Sequence, residues 1–198
     1  MARIKSALEI ALERTQDIEV DTQAIARDRY MTEGKRLAGG FLSDVTRSPD
    51  EFLAAYAAYK GEQKDVVREG CIATVLANIA LPQSEFYTEP AARVRVLVAA
   101  LSSDNENALS LYDQIVGFYD QYLQIQKELV NRLKEQYQPA LEQKQAAMRK
   151  QYGPNYTLKA EQDPEFLKLL EHNYKQLDAQ YGQALEQART QLKELISA

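Results

Sequence analysis

Two apolar stripes in the second half of the chain constrain the fold more than any other feature. Leu167, Leu170, Tyr174, Leu177, Tyr181, Ala184 and Ala188 follow one another at alternating steps of three and four, and Leu192 and Leu195 extend the series after a small phase shift. That rhythm is a heptad seam, which an α-helix gathers on one side. An upstream stretch repeats it with Leu109, Tyr112, Val116, Tyr119, Leu123, Val130, Leu133, Tyr137 and Ala140. Beside that seam runs a second one, Leu111, Ile115, Phe118, Tyr122, Ile125 and Leu129, which stops near Arg132. A helix that is apolar on two sides must be covered by more than one neighbour. The inner half of this helix is therefore expected inside a bundle, and its outer half against a single companion.

The available companion is the C-terminal helix, folding back after a turn. The pattern predicts an all-α protein in which residues 1–102 form a helical bundle. Residues 103–198 form a long antiparallel coiled-coil hairpin with its tip near 152–163. At ~1.5 Å per residue the outgoing helix spans on the order of 70 Å and the returning one about 50 Å. Pro139 lies in the outgoing helix, where it removes one backbone hydrogen bond and is expected to kink the arm or split it.

Helix boundaries are written in the caps. Ser48-Pro49-Asp50-Glu51 is a capping box with proline at the first helical position. Ser103-Asp104-Asn105-Glu106 repeats the Ser-x-x-Glu pattern, and Asp163-Pro164-Glu165 offers an acidic cap followed by proline. Asp21 and Thr88-Glu89-Pro90 are weaker starts, and Gly39-Gly40 is expected to end or bend the second helix. The predicted helices cover 3–16, 21–38, 49–81, 89–101, 104–151 and 164–196, the third open to a break at Gly61 or Gly70.

Charge and motif content exclude several function classes. A net charge of −5 argues against coating nucleic acid, which demands a surplus of Lys and Arg. The one cysteine, Cys71, cannot form an intrachain disulfide, and its apolar setting in GCIATVLANIAL marks a buried, inert thiol. The longest apolar stretch, 71–82, is too short to cross a bilayer. Glu9 and Glu13 interrupt the first apolar run, so it reads as an amphipathic helix rather than a signal peptide, and the expected location is the cytoplasm. Docking of that helix onto the bundle is expected over membrane binding, since Glu9, Glu13, Asp17 and Glu19 weaken attraction to anionic lipid.

His172 is the only histidine and no nucleophile with a recognisable spacing accompanies it. Repeated Glu-x-x-His units of the di-iron type are absent from the sequence, and EGKRLAGG lacks the ending of a phosphate loop. No catalytic, metal or cofactor constellation emerges, so no cofactor is expected. An enzyme would need a pocket lined by convergent charged groups within residues 1–102.

One segment stands out within the turn. From Gln143 to Ala160 there is no acid, although Lys144, Arg149, Lys150, Lys159, Tyr152 and Tyr156 all lie there. Arginine and tyrosine at an exposed apex suit contact with a protein partner, because each offers a large area together with hydrogen bonds. The competing reading is that the two tyrosines pack the turn and the cations are solvated.

The opening segment IKSALEIALERT resembles the start of a group of small, uncharacterised bacterial proteins. That resemblance implies a helical plan and a bacterial cytoplasm, and no activity, cofactor or catalytic residue. The functional expectation is a non-enzymatic interaction or scaffold protein that presents a coiled-coil hairpin to an unidentified protein partner. The alternative is self-association into a dimer or higher assembly through the long helices.

Overall fold

The computed structural model describes residues 22–197. Among the described residues the chain forms six α-helices, one 3-10 turn and no strand. They are α1 (Thr22–Ser43), α2 (Pro49–Ala57), α3 (Gly61–Ala77), α4 (Thr88–Leu101), α5 (Glu106–Tyr152), the 3-10 turn Ala160–Gln162, and α6 (Pro164–Ser197). The all-α class read from the sequence is the class observed. The helix expected over 3–16, the cap at Asp21 and the segment carrying the bacterial resemblance lie outside the described residues.

α1 does not stop at Gly39-Gly40. It runs on to Ser43 because Phe41 is buried in the core, where its burial outweighs the weak helix propensity of the two glycines. Arg93 closes that end, its Nε donating to the Phe41 carbonyl at 3.0 Å and its Nη2 to the Asp44 and Arg47 carbonyls at 2.8 and 3.1 Å. A helix end leaves its last carbonyls without an intrahelical donor, and Arg93 supplies one there, adding to the Arg47 N–H that the Asp44 carbonyl already accepts at 3.1 Å.

The helix expected over 49–81 is broken at Gly61, whose φ of +53° suits a residue without a Cβ. The capping box forms as read: Ser48 Oγ accepts from Glu51 N at 3.2 Å, and Glu51 Oε2 accepts from Ser48 N at 3.3 Å. Gly70 does not break α3. It faces Gly34 of α1 at a crossing so close that a Cβ on Gly34 would sit 2.1 Å from the Val67 carbonyl oxygen. A Cβ on Gly70 would sit 2.3 Å from that of Met31. Cys71 lies beside this crossing, fully buried, its thiol donating to the Gly34 carbonyl at 3.3 Å. Burial pushes the thiol up to about 12, as expected of an inert buried cysteine.

The start of α5 also departs from the sequence reading. Asn105, not Ser103, is the cap, its Oδ1 accepting from Asn107 N and Ala108 N at 3.0 and 3.4 Å. Ser103 and Asp104 are taken up by the end of α4. Both have positive φ (53° and 58°), and Asp104 N donates to the Ala99 carbonyl at 2.9 Å, the wrap of a Schellman-type C-terminus. Two helix ends compete for one short connection, and the C-terminal one claims those residues.

α5 and α6 pack antiparallel. Phe118 meets Tyr181 with ring centroids 4.7 Å apart, Tyr122 donates its hydroxyl to Asp178 at 2.7 Å, and Tyr137 meets Phe166 at 5.4 Å. Partner numbers fall along α6 as they rise along α5. α5 is not split at Pro139, which faces solvent so that the Glu135 carbonyl it leaves without a donor is open to water.

The buried line drifts by one residue from the predicted seam near the distal end. Phe166 and Leu141 are buried in place of Leu167 and Ala140, and nearer the base Leu185 replaces Ala184. Leu177 and Leu192 are buried as read. A straight helix slips about 20° per heptad against a strict seven-residue repeat, enough to move burial onto a neighbouring position.

Two hydrophobic clusters result. The larger draws Phe41, Val67, Cys71, Leu97 and Tyr112 together with Leu192 and Ile196 from the end of α6. Arg68 ties these pieces together, its Nε donating to the Leu101 carbonyl at 3.0 Å and its Nη2 to the Ile196 carbonyl. The smaller cluster sits at the other end of the α5/α6 pair and holds Leu133, Leu141, Ala160 and Phe166.

Candidate functional site

The six residues singled out in the acid-free segment do not behave as one group. Lys144 belongs to the interior of the distal end. Its ammonium lies 2.9 Å from Asp163 Oδ2 and 2.7 Å from Glu165 Oε2, and donates to the Tyr137 hydroxyl at 2.8 Å. Tyr137 in turn donates to Asp163 Oδ2 at 2.9 Å. Asp163 is 3% exposed and also accepts from Glu165 N at 3.0 Å, capping α6 as its sequence suggests. The Lys144 ammonium, with help from the Glu165 amide and the Tyr137 hydroxyl, holds the Asp163 carboxyl below its ordinary 3.8 despite burial. Bonds to Glu165, Tyr137 and Asp163 raise Lys144 above its ordinary 10.5. Lys144 is therefore a structural cation, and its inclusion among the contact residues is revised.

The remaining five lie outward from this lock. α5 ends at Tyr152, and Gly153 at φ +103° turns the chain, a conformation open to glycine. Arg149 Nε donates to the Tyr156 carbonyl at 3.0 Å, which folds the turn back against the helix end. The rings of Tyr152 and Tyr156 stack with centroids 5.7 Å apart and planes at 28°. Tyr152 remains 64% exposed and Tyr156 is half-buried, so one ring packs the turn while its neighbour faces water. Lys150 and Lys159 are exposed. Met148, one helical turn before Tyr152, adds 38% exposed apolar surface.

Sequence reasoning had no means of finding the Tyr137–Lys144–Asp163 lock, because its members are scattered over two helices and gain their meaning only when the chain reverses. It also missed Arg68 and Arg93, whose carbonyl partners lie tens of residues away in the chain. His172 sits exposed on α6 with its Nε2 3.1 Å from Gln176 Nε2.

A charged groove of about 900 Å³ lies between the N-terminal halves of α1 and α3. Arg27, Tyr30, Glu62, Asp65 and Glu69 line it. Arg27 pairs with Glu69 at 2.6 Å, both about half exposed, and Glu62 and Asp65 face solvent. These charges are solvated or mutually neutralised rather than convergent on an enclosed space. Among the described residues no three His, Cys, Asp or Glu side chains gather where a metal ion could be held, and no helix is long and apolar enough to cross a membrane.

No curated protein and no solved structure matches the chain. A family model described as a family of unknown function (DUF6657) matches residues 53–194, from α2 through nearly all of α6. That match takes in the smaller hydrophobic cluster, most of the larger one, the distal lock and the exposed apex, and the chain belongs to this family.

Proposed function

We propose that the protein is a non-enzymatic interaction protein of the cytoplasm. In this reading residues 1–102 form a base, and the paired helices of 103–198 form a coiled-coil arm that offers its distal end to a partner protein. The observation that carries the reading is Tyr152, a large ring left 64% exposed yet held in place by stacking on Tyr156. An exposed aromatic that is already ordered loses little conformational freedom on binding, which favours affinity. Arg149 is fixed by the turn, and arginine and tyrosine are residue types that concentrate binding energy in small patches; Lys150 stands beside them as a further charge.

The test replaces Arg149, Lys150, Tyr152 and Tyr156 together with serine. Circular dichroism and the melting curve should be little changed, because these side chains contribute nothing to either buried cluster. Cross-linking in the native host followed by purification should lose the partner seen with the unaltered protein. A partner yield that stays the same removes the apex as the contact site.

A further inference from the structure

We propose that the distal end of the arm receives an acidic segment of a partner protein, one that also carries an apolar side chain. This inference rests on the apex reading above and adds the chemistry of its partner.

The carboxylates around the apex are engaged along the body of the arm. Glu161 pairs with Lys134 at 2.6 Å, Asp163 and Glu165 with Lys144, and Glu142 accepts from Gln138 Nε2 at 2.8 Å. Each of those cations lies on α5 short of the apex. Arg149, Lys150 and Lys159 consequently have no carboxylate within ion-pair distance among the described residues, although Lys159 is near enough to Glu161 to help hold that carboxyl low. The result is a local positive pole on a chain whose net charge is −5. Arg149 spends its Nε on the Tyr156 carbonyl, so the guanidinium is oriented before any partner arrives and its terminal nitrogens are the donors that remain.

The apolar half of the requirement comes from Met148 and Tyr152, spaced four residues apart on one helix face. Together they make an apolar strip beside the cations. Three cations are too few for strong phosphate-backbone binding, whose strength scales with the number of phosphates neutralised. The strip is also narrow compared with the apolar face of a helix that lies in a membrane interface. An acidic peptide with one or two apolar residues matches both the charge and the size.

The experiment uses the full chain and the fluorescence anisotropy of a short labelled peptide rich in Glu and Asp with interspersed Leu and Phe. Its twin carries Gln and Asn in place of the acids. The acidic peptide should bind about tenfold more tightly than the twin, and weaken as salt rises. The double variant Arg149→Glu, Lys150→Glu should lose that binding, whereas Lys193→Glu at the far end of α6 should retain it. Equal affinity for both peptides, binding to neither, or binding that survives the double reversal overturns the proposal. So does tighter binding to a single-stranded oligonucleotide or to anionic phospholipid vesicles. The two readings fail separately. If the serine variant loses its cross-linked partner but the acidic peptide does not bind, the apex stands as the contact and the acidic chemistry falls.

Discussion

The crossing of α1 over α3 and the far end of the α5/α6 pair are held by opposite kinds of force. At the crossing, Gly34 and Gly70 let two backbones meet at a distance no side chain would permit, and Cys71, Val67 and Phe41 fill the surroundings. Shape dominates there, with the Cys71 thiol bond to the Gly34 carbonyl and the exposed Arg27–Glu69 pair as the polar additions. At the far end the buried apolar cluster has four members, and a lysine, a tyrosine and two carboxylates bond across the turn beside it. A close-packed core tolerates changes of pH and salt but not of volume. A polar lock tolerates small changes of volume but depends on the charge of its members.

That contrast can be broken at either end. The largest effect is expected from Gly34→Ala, since a methyl group 2.1 Å from a backbone oxygen forces α1 and α3 apart. Overpacking of this kind should cost about 3 kcal/mol or more, read as a lower urea midpoint for the whole protein. A stability equal to wild type would mean that the helices do not approach as closely as described.

Asp163→Asn should act locally and less strongly. It leaves Lys144 and the Tyr137 hydroxyl without a buried carboxylate, and amide exchange over 158–170 should speed up by about tenfold while the crossing stays protected. The pH dependence sharpens the point. The folded-state carboxyl of Asp163 titrates below its ordinary 3.8, so its stabilising contribution is complete above that value and disappears as pH falls through the lowered one. On acidification the distal amides should therefore lose protection before those of the crossing, and simultaneous loss would remove the distinction between the two regions.

The smallest effect belongs to the surface. Lys127 pairs with Glu85 with both side chains 67% exposed, and Lys127→Ala should leave the urea midpoint unchanged within error. A measurable drop would show that the loop before α4 depends on that pair.

Much of this architecture was legible in the residue order. Three-four spacing from Leu109 to Leu133 and from Leu170 to Leu192 announced two long helices. Ser48 and Asp163 announced where helices begin, and Cys71 announced a buried thiol. The errors share one cause. Gly39-Gly40 looked like a stop because local propensity cannot see that Phe41 has a core to enter or that Arg93 is waiting at the helix end. Ser103 looked like a cap because the sequence does not show that α4 needs the same residue for its own termination. Lys144 looked like one more apex cation because Asp163, nineteen positions on, comes beside it only after the chain has turned back.

The order of residues determined helix as the repeating unit and roughly where each begins, because hydrogen bonds between near neighbours and the spacing of apolar side chains are local properties. Tertiary structure decided which glycines interrupt a helix and which sit at a crossing, and which cations are neutralised and which are offered to solvent. Those outcomes turn on what another helix brings within a few ångströms, and no window of the chain contains that information.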